Sequence, residues 1–452
     1  MNTRLLIFIL SFFFCLKIYP QVDNSQFLEL KQELSALKAQ IDSLKQPIFA
    51  PVQADSQLSN LNKKNYHISG AGAMNYYHFD WQTDTVKRDG IDNERFVLEL
   101  EYEWTAKIGL NVELEFEHGG TGSAVEFDRF EEFGEFEFDI SKGGEISIEQ
   151  MNLQFCPRKN FTLQLGRVKV PFGRMFLQSE PTEYLTAINS EMENFLLPEN
   201  WTENGLLAAY TLGKSQQLKL YLAFVNGLDC SAFNSANFIK RGNQARFELA
   251  NAENFAFSFR ADYQMSANLL VGAAFYGGNT ADNRPKPDLR IAAPLLLYET
   301  HILYQSGLFA ANALFFYGSL GSSEELSNRN RNLSNNLNVK RTPVGAAALG
   351  CFAELGLHII NRNGGIFSHP NHRLTLFGRY DYYDTMFKTE GAIFNNPRWE
   401  RQTLTAGLNF QIIPNVQLKT QYSHRTVGAP APTSINGGRL ERTIIAGFCF
   451  GF

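Results

Sequence analysis

The chain has 452 residues, of which 44% are hydrophobic and 13% aromatic (39 Phe and 17 Tyr against 4 Trp), and its formal net charge is −5. A soluble chain of this length ordinarily divides into two or three domains, whereas a large membrane barrel stays one because its framework is a closed sheet. The acidic balance argues against a nucleic-acid partner. Four scattered cysteines beyond the first 20 residues (Cys156, Cys230, Cys351, Cys449) show neither metal-ligand spacing nor a disulfide framework.

Residues 5–16, LLIFILSFFFCL, form an apolar run between Arg4 and Lys17. The run is too short for a helical span of a roughly 30 Å hydrocarbon core but suits a signal peptide, so residues 1–20 are read as a leader cut near Gln21. The phenylalanines before Cys15 do not make the small-residue pattern that lipidation requires. In residues 21–46, Phe27, Leu30, Leu34, Leu37, Ile41 and Leu44 keep a 3-4 spacing with polar residues between them, the rhythm of a short coiled coil. It is too short to be stable alone and is expected in the periplasm, either joining copies of the chain or lying on a barrel as a single amphipathic helix. Residues 47–65 lack both periodicities and read as a linker.

From residue 66 to 452 the period becomes two. FVLELEYEW (96–104), IGLNVELEFEH (108–118), FTLQLGR (161–167), FAFSFRADY (255–263), HRLTLFGRYDYY (372–383) and VQLKTQYSH (416–424) alternate apolar with polar or small residues, separated by Gly, Asn, Pro and Ser clusters. Segments of about ten residues with one lipid face and one wet face are the pattern of an all-β transmembrane antiparallel barrel, here of about 16 strands (range 14–18). Aromatics near strand ends, among them Tyr76, Tyr102, Trp104, Tyr263, Tyr276, Tyr304, Tyr380, Tyr383 and Tyr422, read as interfacial girdles. In the last segment, LERTIIAGFCFGF, Ile444, Ala446, Phe448, Phe450 and Phe452 share one face, which resembles the signal that outer-membrane proteins present for barrel assembly.

FTLQLGRVKVPFGR (161–174), the acidic and aromatic stretch through ENFLLPENWTENGLLAAY, LTLFGRYDYYDTMF (374–387) and TLTAGLNFQIIPNVQLKTQYSH (403–424) resemble the phosphate-selective porins O and P. The resemblance implies a homotrimer of 16-stranded barrels, each with its own pore and an inward-folded constriction loop. It implies anions such as phosphate among the solutes, although no dense lysine cluster or arginine ladder is legible here.

If apolar residues face lipid, Glu99, Glu101, Glu103, Glu113, Glu115 and Glu117 point into the lumen from two adjacent strands. Residues 91–140 hold 15 acidic and 3 basic side chains. By the same parity Lys219, Arg246, Arg260, Arg373, Arg379, Lys419 and Arg425 point inward from later strands. Two readings follow: a field across the pore, or polar residues merely lining a wet interior. Segment 171–204 is the candidate constriction loop, with Arg167, Lys169, Arg174, Glu180 and Glu183 as its charged candidates; an ordinary extracellular loop is the alternative. Segments 277–294 and 319–342 read as exposed connections, the second able to meet lipopolysaccharide phosphates.

The eight histidines are dispersed, and neither a nucleophile setting nor a phosphate loop appears, so no enzyme and no cofactor are expected. His369 and His372 have the i, i+3 look of a ligand pair but sit in a turn. The expected partners are outer-membrane lipid, lipopolysaccharide and small hydrophilic solutes. The expected function is a porin for passive diffusion; a non-conducting, tethering or complex-forming barrel is the alternative.

Overall fold

The computed structural model describes residues 65–120, 126–128, 137–139, 145–213, 217–244, 249–284, 286–331, 333, 342–430, 434 and 437–452. The expected leader, the coiled coil, linker residues 47–64 and Arg246 lie outside the described residues. Sixteen strands form a closed antiparallel barrel. They are β1 Tyr66–Trp81, β2 Gly90–Thr105, β3 Ile108–Glu117, β4 Glu145–Arg158, β5 Phe161–Lys169 and β6 Thr202–Leu212. Then follow β7 Leu218–Asn226, β8 Phe255–Ser266, β9 Leu269–Asn279, β10 Pro294–Gln305 and β11 Phe309–Leu320. The last five are β12 Ala347–Ile360, β13 Arg373–Lys388, β14 Glu400–Ile413, β15 Val416–Val427 and β16 Leu440–Gly451. Each strand pairs with its chain neighbour, and β16 closes on β1 with Gly451 opposite Ala71.

Alternation decides which side of each strand faces lipid. In β10, Leu296, Tyr298, Ile302 and Tyr304 are exposed outward, while Leu295, Leu297, Glu299, His301 and Leu303 are buried inward. On β16, Ile444 and Phe448 face out and Ile445 and Cys449 face in, as the alternation predicts. One end of the barrel has turns as short as residues 106–107, 159–160, 267–268 and 414–415. The other end carries the long connections; in outer-membrane barrels the short turns face the periplasm.

Two expectations are corrected here. Tyr276 and Tyr383 are fully buried and do not belong to an aromatic girdle. They occupy inward parity, where Tyr276 meets Trp201 at 4.6 Å and Tyr383 stacks on Phe195 at 5.2 Å between ring centroids. Nor are the long connections simply exposed. Phe233, Phe238 and Ile239, then Ala281, Leu289 and Ala293, then Leu326 of helix α2 (Ser323–Asn330) are buried in one cluster. That cluster also takes in Phe316, Phe352 and Tyr383 from the inner wall, so apolar residues of these segments cover apolar wall residues that would otherwise face water.

The connection 170–201 joins the same cluster through Val170, Phe172, Met192, Leu196, Leu197 and Trp201, and holds helix α1 (Glu191–Leu196). Ser190 caps this helix by accepting the Glu193 N–H at 3.3 Å. Helix α1 packs flush on β12 because position 350 is glycine: a Cβ there would lie 2.5 Å from Met192 Cγ and 2.8 Å from Leu196 Cδ1. Each large apolar side chain buried in this way contributes roughly 1.5–3 kcal/mol relative to exposure.

Candidate functional site: a luminal loop and an acidic passage

After Lys169 the sequence Val-Pro-Phe-Gly ends the β5 ladder: proline has no N–H to donate, and Gly173 adopts φ +78. The chain then turns into the lumen rather than over the rim. An irregular backbone at membrane depth needs partners for its polar groups, and side chains of the wall supply them. Arg260 of β8 donates to Gly173 O at 2.7 Å. Lys419 of β15 donates to Pro181 O, Tyr184 O and Thr186 O at 2.5, 2.6 and 2.9 Å. Arg379 of β13 donates to Thr186 Oγ1, Ile188 O and Asn189 O at 2.7, 3.2 and 3.2 Å. Glu191 then pairs with Arg425 of β15 at 2.9 Å, and Arg174 with Glu193 at 3.3 Å within the loop.

Four of the described inward cations of the later strands, Arg260, Arg379, Lys419 and Arg425, are thus engaged. Arg260 pairs with Asp262 at 2.9 Å and Glu299 at 3.1 Å, and donates to His301 Nε2 at 2.9 Å. Arg379 pairs with Asp381 at 2.8 Å and lies 3.8 Å from Glu354; Arg425 reaches Glu441 at 2.6 Å. Arg260, Arg379 and Lys419 are 0%, 2% and 2% exposed. Arg373 and Lys219 are half-buried. A cation matched by a buried carboxylate presents little net charge to a passing solute.

The sector built by β2–β5 differs. Glu99 of β2 stands directly opposite Glu113 of β3, and this like-charge pair is relieved by three partners. Ser69 donates to Glu99 at 2.9 Å, and Lys169 lies 3.4 Å from Glu113, which also accepts from Gln150. Arg95 pairs with Glu115 at 2.5 Å and donates to Ser179 O of the loop at 2.8 Å, and Asn200 donates to Glu115 at 3.1 Å. Around these pairs carboxylates remain accessible. Glu101, Glu103 and Glu183 are exposed, Glu99 and Glu117 are half-buried, and the Glu180 side chain, 3.9 Å from Arg95, is 22% exposed. Lys169 lies within electrostatic reach of Glu99, Glu113, Glu180 and Glu183. Arg167 is half-buried, in register with Met151 and within electrostatic reach of Glu149.

A profile of the phosphate-selective porin O and P family matches residues 71–432. The chain belongs to this family. It is 24% identical over 367 residues to an uncharacterized protein of Aquifex aeolicus (strain VF5), covering 80% of this chain and 76% of that one. Solved structures similar to it include an anion-selective porin from Comamonas acidovorans (10% identity, TM-score 0.49, 86% of this chain and 99% of that one). The outer membrane channel DcaP of Acinetobacter baumannii is another (10% identity, TM-score 0.47, 87% and 100% covered). The family makes this chain an outer-membrane porin, a passive solute channel.

Several residues that organise this porin's lumen were not singled out from the sequence: Arg95, Asp262, Glu299, His301, Glu354 and Asp381. For two of them the signal was present. Arg260-Ala-Asp262 and Arg379-Tyr-Asp381 repeat one pattern, and residues two apart on a strand share a face, so each arginine carries its own counter-charge. His369 and His372 stack at 4.4 Å, but their hydrogen bonds oppose joint ligation. His369 Nδ1 accepts from the His372 N–H at 3.2 Å, which leaves its proton on Nε2. His372 Nδ1 instead lies 2.8 Å from Ile412 O and is the donor.

Proposed function

We propose that solutes cross this porin through the sector between loop 170–201 and the wall of β2–β5, and that the passage favours cations over anions. The observation that carries this reading is an asymmetry of exposure. The inward cations Arg260, Arg379, Lys419 and Arg425 are tied to buried carboxylates or to the loop, whereas Glu99, Glu101, Glu103, Glu180 and Glu183 keep water access. Accessible charge at a narrow place sets which ions enter, and buried matched charge does not. Phosphate selectivity would need a row of accessible cations. In this sector Lys169 is a cation with access, and it is balanced by Glu113. We also propose that residues 21–46 lie in the periplasm and join three copies of the chain through their heptad spacing, with lipopolysaccharide around the outer loops.

The test is the reversal potential of purified, refolded porin in a planar bilayer under a KCl gradient. A potential of the sign for K⁺ passage supports the acidic passage, and the opposite sign refutes it. Loop 170–201 is fastened to opposite walls, which favours one competing reading, a barrel that does not conduct. A folded, heat-modifiable barrel without conductance would establish that alternative.

A further inference from the structure

The course of loop 170–201 is held by main-chain contacts, and one side chain makes three of them. Lys419 has three donors and no acceptor, and each donor has a carbonyl of the loop to meet: Pro181 O, Tyr184 O and Thr186 O. Its ammonium lies 4.4 Å from the centre of the Tyr184 ring, which covers it. Among the described residues no carboxylate comes within ion-pair distance of Lys419, so its buried charge is met by loop dipoles. The neighbouring wall positions serve the same stretch. Gln417 donates to Thr182 O at 2.7 Å, Asn409 donates to Leu185 O at 3.0 Å, and Gln421 accepts from the Ala187 N–H at 2.8 Å.

We infer that Lys419 is a positioning residue of the channel: it fastens segment 181–186 of the loop and thereby sets the cross-section left open beside the acidic wall of β2–β5. Because the grip falls on carbonyls, it fixes the path of the loop without constraining its side chains. Glu180 and Glu183, on and beside the gripped stretch, can then face the passage. The inference rests on the diffusion reading above for its conductance readout only.

The test uses the full chain with Lys419→Ala and Lys419→Met, and Lys219→Met as a control for loss of a half-buried inward lysine away from the loop. Freed from its tether, the loop no longer holds one width. Single-channel conductance should therefore change by about twofold or more with added current noise, since conductance follows the open section. Methylammonium chloride, which can replace the missing ammonium in Lys419→Ala, should restore the wild-type level, and tetramethylammonium chloride, which cannot donate, should not. A Lys419→Ala conductance and noise equal to wild type, or no difference between the two salts, overturns the inference. Hydrogen exchange of the unmutated porin decides the matter if the variants do not fold or the barrel does not conduct. Amides of 182–190 exchanging as slowly as those of the strands support the tether, and exchange at the rate of exposed loops refutes it.

Discussion

Glu183 offers the cleanest measure of the acidic passage, because it is exposed and its replacement by glutamine unpairs no buried cation. Glu183→Gln keeps an oxygen to accept the Glu180 N–H, now bonded at 3.0 Å, so the loop should keep its local geometry. A monovalent ion passing roughly 6 Å from this carboxylate in a water-like dielectric interacts with it by about 0.7 kcal/mol, with opposite sign for K⁺ and Cl⁻, so their ratio changes by about 1.4 kcal/mol. At about 0.1 M salt the screening length is about 10 Å, so about half of this survives, close to a threefold effect. Glu183→Gln should therefore lower the K⁺/Cl⁻ permeability ratio about threefold, and Glu183→Lys, which changes the charge by two, about tenfold. The assay is the reversal potential in a KCl gradient at pH 8 with wild type alongside. An unchanged potential in both variants would remove Glu183 from the passage, and a rise in K⁺ preference in Glu183→Lys would refute the electrostatic argument itself.

Inorganic phosphate at millimolar concentration should leave the KCl current of single channels unaltered; a saturable block would show an anion site that the pairing of the arginines does not provide. Arg260→Met should cost about 3–5 kcal/mol in denaturant unfolding, because Asp262 and Glu299 would be left buried without their cation. A loss below about 1 kcal/mol would contradict that role. Gly350→Val should destabilise by about 1–3 kcal/mol through collision with Met192 and Leu196, and an unchanged unfolding midpoint would mean that helix α1 can shift at no cost. The hydrogen bond to Asp92, at 2.7 Å, pushes the His118 imidazole up to about 9. Its stabilising contribution is complete below the ordinary histidine value and fades as pH rises through about 9. Asp92→Asn should return the NMR titration midpoint of His118 toward about 6.5, and a midpoint unchanged by that substitution would assign the shift elsewhere.

The barrel was legible in the sequence because its strands obey a period of two over long runs, and lipid on one side enforces it. FVLELEYEW falls inside β2, and TLTAGLNFQI inside β14. The strand number was legible within narrow limits for the same reason. Of the charges assigned by parity, Glu113, Glu115, Arg260 and Arg379 are buried. What the arginines meet there was not legible, since parity gives a face and not a partner. Arg379 finds Thr186 and Asn189 across 190 residues of sequence, through a loop with no periodicity. Arg167 is a candidate in the sequence for its place just before the loop, and it sits half-buried in β5 in register with Met151. The long connections were misread as exposed because their apolar residues are sparse: Leu289 lies between Asp288 and Arg290, and Leu326 stands alone among polar neighbours, yet both are buried.

The seam between β1 and β16 constrains how such a molecule can come into being. Ala71 meets Gly451, and Gly70 exchanges main-chain hydrogen bonds with Phe452, so the barrel closes by pairing the first strand with the last. Loop 170–201 needs β8, β13 and β15 already in place to receive Gly173, Thr186 and Pro181. Closure and loop docking are both long-range events, the kind that makes assembly slow. Before docking, Arg260 and Arg379 already hold their strand-borne partners Asp262 and Asp381, while Lys419 has nothing comparable. Of these three cations, Lys419 alone awaits the loop to be satisfied, which makes the finished interior a product of closing the barrel and not a template for it.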